Sequence, residues 1–262
     1  MKTVVISGAS SGIGLCLAKK FVYDGYKVYN ISRRPSDADG VISIKADVTD
    51  EGSVIAAFEK IASESESVDI VVANAGFGIS GAVEFTETAE AKRQFDVNFF
   101  GVLNVVKAAM PYLRKSRGRI VATSSVAAIF SIPFQSFYSA SKSSVSMMIS
   151  ALANEVRPFG ISACSVLLGD TKTGFTDARA KSHAGDDVYG GAISRSVSVM
   201  EKDERGGASP EKIAAKIARV AKKKRVKDKY VIGFLYKCLA LLNKLLPSGL
   251  VNRIVGKLYI RK

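Results

Sequence analysis

The sequence predicts an α/β fold: a doubly wound parallel sheet in a single domain, with a C-terminal basic amphipathic helical extension. Three observations predict it. Apolar, strand-like runs alternate with helical patterns up to about residue 170. A glycine-rich turn joins the first run to the first helical pattern. Positive charge is gathered towards the C-terminal end instead of being spread along the chain.

The first run, Thr3-Val4-Val5-Ile6-Ser7, is almost continuously apolar, as suits a strand buried on both faces. Five more runs follow at residues 27–32, 41–45, 69–73, 118–123 and 162–168. Helical periodicity occupies 13–24, 51–63, 89–114 and 136–157 between them. This alternation argues for βαβ units and a parallel sheet covered by helices on both sides. Right-handed crossovers make such a sheet doubly wound, and a ligand then sits beyond the carboxyl ends of the strands. Residues 170–210, rich in Gly, Ser and Asp, predict a mobile substrate loop with short helices. Ser209-Pro210-Glu211 predicts a helix start, with Ser as cap and Pro in the first turn, and that helix runs to about Lys224. The expected division is one sheet domain over 1–228, including the 170–210 loop, and a basic helical segment over 229–262.

The 262 residues are 47% hydrophobic and 24% charged, a globular composition that excludes a disordered chain. Cys16, Cys164 and Cys238 are too few and too scattered for a disulfide framework or a metal site, and the single histidine, His183, reads as a loop residue. No metal is expected. The first strand begins almost at Met1, and no apolar run approaches the roughly 18 residues of a membrane span. A cytoplasmic protein is expected. The formal charge is +14, and residues 211–262 alone carry 15 Lys/Arg against 2 Asp/Glu. The body is therefore nearly neutral, and the tail is the part suited to an anionic partner.

After the first strand comes Ser7-Gly8-Ala9-Ser10-Ser11-Gly12-Ile13-Gly14. Glycines at 8, 12 and 14 let a pyrophosphate approach the backbone, and the helix start that follows favours an anion. The second strand ends Asn30-Ile31-Ser32-Arg33-Arg34. Binders of NAD usually place an acid there for the ribose hydroxyl. Two guanidinium groups suit a 2′-phosphate instead, so NADP(H) is the expected cofactor.

Tyr138 and Lys142 are four apart in a helical pattern and share one face. A free tyrosine, with a pKa of ~10, is a poor base at neutral pH, and a nearby ammonium favours the phenolate. Ser125 follows the 118–123 strand, where its hydroxyl can meet a substrate oxygen. These residues point to hydride transfer at a ketone or alcohol carbon, with Tyr138 as acid/base.

Over roughly residues 1–175 the sequence resembles the short-chain dehydrogenases/reductases. The resemblance rests on Gly8-x-x-x-Gly12-x-Gly14, Asp47-Val48, Asn74-Ala75-Gly76, Asn98, Ser125 and Tyr138-x-x-x-Lys142. It implies a Rossmann-like fold and an NADP-preferring enzyme of the Ser-Tyr-Lys type. It implies that Ser125 orients the carbonyl, that Tyr138 exchanges the proton, and that Lys142 binds the nicotinamide ribose and lowers the Tyr138 pKa. Asn98 would hold a relay water, Asp47 and Val48 would flank the adenine, and Asn74 would lie near the cofactor. Ser32 stands where NAD-preferring members carry an acid. Two departures are visible: Ser7 replaces a threonine, and the family's Pro-Gly appears as Leu168-Gly169, with Thr173 still placed for the carboxamide.

Phe77, Phe130 and Phe134, together with Ile79, Pro133, Phe137 and Phe175, suit an apolar pocket and a lipophilic ketone or alcohol of steroid, retinoid or lipid type. Residues 74–81 resemble the steroid- and retinol-active branch. Reduction of small ketones or of acyl-carrier 3-ketoacyl substrates is the alternative. A non-catalytic NADP(H)-binding sensor is another, which is expected to lose Tyr138 or Lys142, and both are present; a membrane-surface protein acting through the basic tail is a third. In the tail, Leu235, Cys238, Leu239, Leu242 and Leu246 recur at helical spacing among lysines. That face can pack on the body, cap the pocket, meet a second subunit or lie on an anionic membrane as a peripheral contact. A homo-oligomer, dimer or tetramer, is expected. Nucleic acid is not, because the basic segment carries leucines and no recognition module.

Overall fold

The computed structural model describes residues 1–260; Arg261 and Lys262, the last two residues of the basic segment, lie outside the described residues. In chain order the elements are β1 (Thr3–Ser7), α1 (Gly12–Tyr23), β2 (Lys27–Ser32), β3 (Val41–Lys45), α2 (Glu51–Glu64), β4 (Ile70–Ala73) and the two-residue β5 (Ile79–Ser80). Then come α3 (Thr88–Phe95), α4 (Gly101–Ser116), β6 (Arg119–Ser125), α5 (Ser136–Glu155) and β7 (Ser162–Leu168). The chain ends with α6 (Phe175–Ala178), β8 (Ala180–Lys181), α7 (Ala192–Arg205), α8 (Pro210–Ala221), β9 (Lys229–Ile232), α9 (Phe234–Leu245) and α10 (Ser248–Ile260).

Seven strands form one parallel sheet in the order β3-β2-β1-β4-β6-β7-β9. The side-chain alternation of each strand feeds two cores. Val5 of β1, Val71 of β4 and Ile120 of β6 pack with α2, α4 and α5. Val4 and Ile6, Val72 and Val121 point the other way, against α1 and α8. That is why β1 reads as an unbroken apolar run. The strand order reverses between β1 and β4, so the crevice of the sheet lies beside the glycine turn. Helix α8 begins as its sequence predicts: Ser209 Oγ accepts from the Lys212 amide at 3.4 Å, and Pro210 occupies the first turn. Its Ile213, Ile217 and Ala218 are buried with Leu17 and Phe21 of α1.

Three elements differ from the sequence reading. Residues 229–232 form the seventh strand, pairing Ser165–Leu168 of β7, instead of opening the tail helix. Four residues between lysines give no strand signal until the β7 edge supplies their hydrogen-bond partners. The 170–210 loop contains the 14-residue α7, whose Ile193, Val197 and Met200 recur at helical spacing on a polar background. The expected 89–114 helix is broken at Asp96–Phe100 by a π turn, which no composition rule reveals.

Ile217 is fully buried between α8 and the sheet. Ile217→Ala is expected to lower stability by about 2–5 kcal/mol, read as an earlier midpoint in urea unfolding, while the far-ultraviolet spectrum is unchanged.

Candidate active site

The glycine turn is built by close approach. Gly8 (φ +72°) has room for no Cβ, which would meet Ala75 Cα at 2.9 Å; at Gly14 a Cβ would lie 2.3 Å from the Gly8 carbonyl oxygen. The turn is pinned from three sides. The Ala9 amide donates to Asn30 Oδ1 (2.9 Å), the Asn74 amide donates to Ser7 Oγ (2.9 Å), and Asn74 Nδ2 donates to the Ser7 carbonyl (3.2 Å). Asn30 also donates to Ser32 Oγ (2.9 Å), tying the turn to the end of β2. Ser11 makes no side-chain cap and the first turn of α1 holds no acid, so its amides stay open to an anion. Ser10, Ser11, Gly12 and Ile13 line the same crevice.

Beyond β2, Arg33 and Arg34 are exposed at the rim. The Asp47 carboxyl is held below its usual range, first by the Thr49 amide and then by the Thr49 hydroxyl and the Arg33 guanidinium. Val48, Asn74, Ala75 and Gly76 continue the wall. Thr173 lies over the turn, 3.7 Å from where a Cβ on Gly12 would stand.

The polar triad stands at the carboxyl end of β6. Ser125 ends the strand, and its Oγ accepts from the Ala127 amide (3.1 Å). Tyr138 is in the first turn of α5 with Lys142 one turn on. Lys142 is buried; its Nζ donates to the Thr123 carbonyl (3.2 Å) and lies 5.9 Å from the Tyr138 ring centre. Burial alone lowers Lys142 to about 8. The Tyr138 ring keeps some surface towards the cavity, yet enough protein surrounds it that burial pushes its hydroxyl up to about 12, against the pull of the nearby Ser125 hydroxyl. The sequence reading had the ammonium lowering that pKa; here desolvation dominates, the groups that pull it down are Ser125 and Arg179, and Tyr138 is a neutral phenol at pH 7.

Asn98 lies in the π turn and is fully buried. Its Oδ1 accepts from the Phe77 amide (3.0 Å), and its Nδ2 donates to the Phe77 carbonyl (3.0 Å) and Ser141 Oγ (3.1 Å). Ser141 Oγ in turn donates to the Tyr138 carbonyl (2.8 Å). A Cβ on Gly76 would meet both Asn98 Oδ1 (3.1 Å) and Lys142 Nζ (3.4 Å), so the three groups converge there.

One cavity of about 1160 Å³ joins the glycine turn, the two arginines, Ser32, Ser125, Tyr138, Lys142 and Thr173. Phe77, Phe130 and Phe175 line it. Five predicted residues do not. Asn98 is enclosed behind Phe77, and Phe134 is turned into a small core with Ala82, Ile193 and Met200, its ring set edge-on to Tyr189. Phe134 takes a left-handed backbone (φ 59°), which turns it away from the cavity in a manner invisible to sequence pattern. Ile79, Pro133 and Phe137 are also off the wall.

Sequence reasoning missed several contributors. Asn30 left a signal, a polar residue inside an apolar strand run. Asp170 and Glu204 left none, and both line the cavity. Tyr236 of α9 donates to Asp170 Oδ2 (2.6 Å), and its ring lies so flat on Gly169 that a Cβ there would be 1.9 Å away. Leu239, Leu242 and Leu246, with Ile254 and Leu258 of α10, form an apolar wall.

Residues 2–184 match the family model of the short chain dehydrogenases. A 3-ketodihydrosphingosine reductase of Bacteroides thetaiotaomicron is 41% identical over 240 residues, covering 90% of this chain and 89% of its own. A probable short-chain type dehydrogenase/reductase of Helicobacter pylori is 32% identical over 252 residues, covering 94% of this chain and 93% of its own. Among solved structures, a short-chain dehydrogenase from Streptomyces avermitilis matches with a TM-score of 0.82 at 27% identity over 93% of each chain.

The lowered pKa of Lys142 has a consequence for stability. Its folded value, about 8, is below the free 10.5, so the protonated form opposes folding at neutral pH, and that opposition fades as pH rises from 8 to 10.5. Lys142→Met is expected to stabilise the fold by up to roughly 3 kcal/mol near pH 7 and by about 1 kcal/mol near pH 10. Thermal melts of both forms across that range check it; an equal gain at both pH values contradicts it.

Proposed function

The chain belongs to the short-chain dehydrogenase/reductase family, and we propose that it is an NADP(H)-dependent member that interconverts a ketone and a secondary alcohol on a lipophilic, lipid-like substrate. One observation carries the reading: a single cavity is polar at Ser125, Tyr138 and Lys142 and apolar along the wall supplied by α9 and α10. A relative 41% identical is a 3-ketodihydrosphingosine reductase, and a keto group on a long-chain lipid suits that division of the cavity.

The residues present fit a phosphorylated dinucleotide. Positions 8 and 14 have no space for a side chain, the α1 amides are open, and Arg33 and Arg34 stand at the rim where a 2′-phosphate needs guanidinium partners. NADPH, when bound, supplies the hydride. The protein's part is positioning and proton transfer. Ser125 Oγ holds the carbonyl oxygen, and the Tyr138 hydroxyl gives it a proton as the carbon is reduced. Burial keeps the Tyr138 hydroxyl protonated at neutral pH, the form that can donate when a carbonyl is reduced. The Lys142 ammonium steadies the phenolate left behind, and a water held at Asn98, beyond Gly76, would link Lys142 to solvent and return the proton.

Tyr138→Phe is expected to lower kcat by about 10²–10⁴-fold while NADPH still quenches or enhances fluorescence on binding as in the parent. Turnover at the parent rate would overturn the assignment. Changing Arg33 and Arg34 together to Ala is expected to raise the KM for NADPH by about 10²-fold and leave that for NADH within a few-fold, measured with one ketone and both cofactors.

A further inference from the structure

The two C-terminal helices have an unusual burial. No residue of α9 is buried, and Val255 is the only buried residue of α10. Phe234 is 84% exposed and Leu245 70%. An amphipathic helix normally hides its apolar stripe against the body. Here the hairpin has apolar side chains on both sides. Leu242 and Leu258 line the cavity and are still 48% and 49% exposed. Leu241 and Leu245 are exposed and do not line the cavity, so the hairpin gives some apolar side chains to the cavity and presents others outward.

Charge selects what covers this surface. Lys237, Lys244, Arg253 and Lys257 are exposed beside the apolar residues, and no Asp or Glu occurs from residue 229 to 262. A symmetric contact between two copies would bring this patch onto itself, basic against basic, with no acid of the hairpin to oppose it. An anionic lipid surface offers both matching terms, phosphates for the lysines and acyl chains for the leucines.

We propose that the α9–α10 hairpin seats on an anionic bilayer and serves as the port through which a lipophilic ketone passes from the bilayer into the cavity. The inference rests on the lipophilic-substrate reading above. The hairpin lies at the membrane surface without crossing it: among the described residues no helix is long and apolar enough to span. Tyr236 anchors the port, because its hydrogen bond to Asp170 joins α9 to the loop after β7.

The full chain is pelleted with vesicles of phosphatidylcholine alone and with vesicles of phosphatidylcholine and phosphatidylglycerol in equal parts. Binding to the mixed vesicles only is expected. A Lys237→Gln, Lys244→Gln variant should bind them about 25-fold more weakly, since each basic residue near an anionic surface contributes about fivefold. A Leu241→Gln, Leu245→Gln variant should also come off; all four side chains are exposed and off the cavity wall, and unchanged melting temperatures confirm the fold. NADPH oxidation is then followed with a long-chain ketone dissolved in the mixed vesicles and with a short, water-soluble ketone. The port requires that both variants lose most turnover of the first and keep turnover of the second. Three results overturn it: no preference of the parent for anionic vesicles, full turnover of the vesicle-borne ketone by variants that no longer pellet, or a parent dimer whose mass by light scattering halves in the leucine variant. If the parent reduces neither ketone, the substrate reading fails and the port with it, while the pelleting result still decides whether the hairpin binds lipid.

Discussion

Ser124 ends its side chain at the carbonyl of Lys142 (2.9 Å), and Ser146 donates to Ser124 Oγ (3.0 Å), all within the buried seam between β6 and α5. Lys142 Nζ closes the seam onto the Thr123 carbonyl. A hydroxyl left unpartnered in such a place costs ~1–3 kcal/mol, so the helix cannot slide a turn along the strand without losing several partners at once. That fixed offset is what brings Ser125 from the strand and Tyr138 and Lys142 from the helix to one point. The rest of the site is arranged around it.

Two buried amides extend the same logic outward. Asn30 joins the glycine turn to the end of β2, so hydrogen bonds tie the turn to the strand end that leads into Arg33 and Arg34. Asn98, placed inward by the π turn, joins Phe77 to Ser141 and thereby the strand end after β4 to α5. Both are costly unless satisfied, and both are satisfied. The titrating groups between them are not at ease: burial lifts Tyr138 and depresses Lys142, the form of environment that active sites use to shift proton affinities.

The C-terminal helices complete the cavity from the opposite side. Strand β9 adds the chain to the sheet edge at β7, and Tyr236 packs on Gly169 immediately after it. Gly169 stands in the Leu168-Gly169 pair, where the family has Pro-Gly; the ring of Tyr236 and its bond to Asp170 supply rigidity that a proline ring would otherwise give. The cavity wall and part of the outer surface are then supplied by the same short hairpin.

Much of this was legible in the chain. The six strand runs, the glycine turn, the arginine pair and the Tyr138–Lys142 spacing depend on local pattern: a period of two, a period of 3.6, or a residue type that a phosphate or a phenol requires next to it. Phe134 was not legible, because a left-handed backbone torsion sends it to a separate core, and neither were β9 or α7, whose short or sparse apolar signals become structure only against β7 and the Ile193 core. The titration of Tyr138 was misread for a similar reason: spacing put an ammonium nearby, but the amount of protein packed around the phenol decides its proton affinity. The sequence by itself determined the sheet, the glycine turn and the one-turn spacing of Tyr138 and Lys142 on α5, since these rest on neighbours along the chain. Only the tertiary structure decided which aromatics face the cavity and that the tail forms its wall, since those depend on surfaces far apart in sequence meeting in one place.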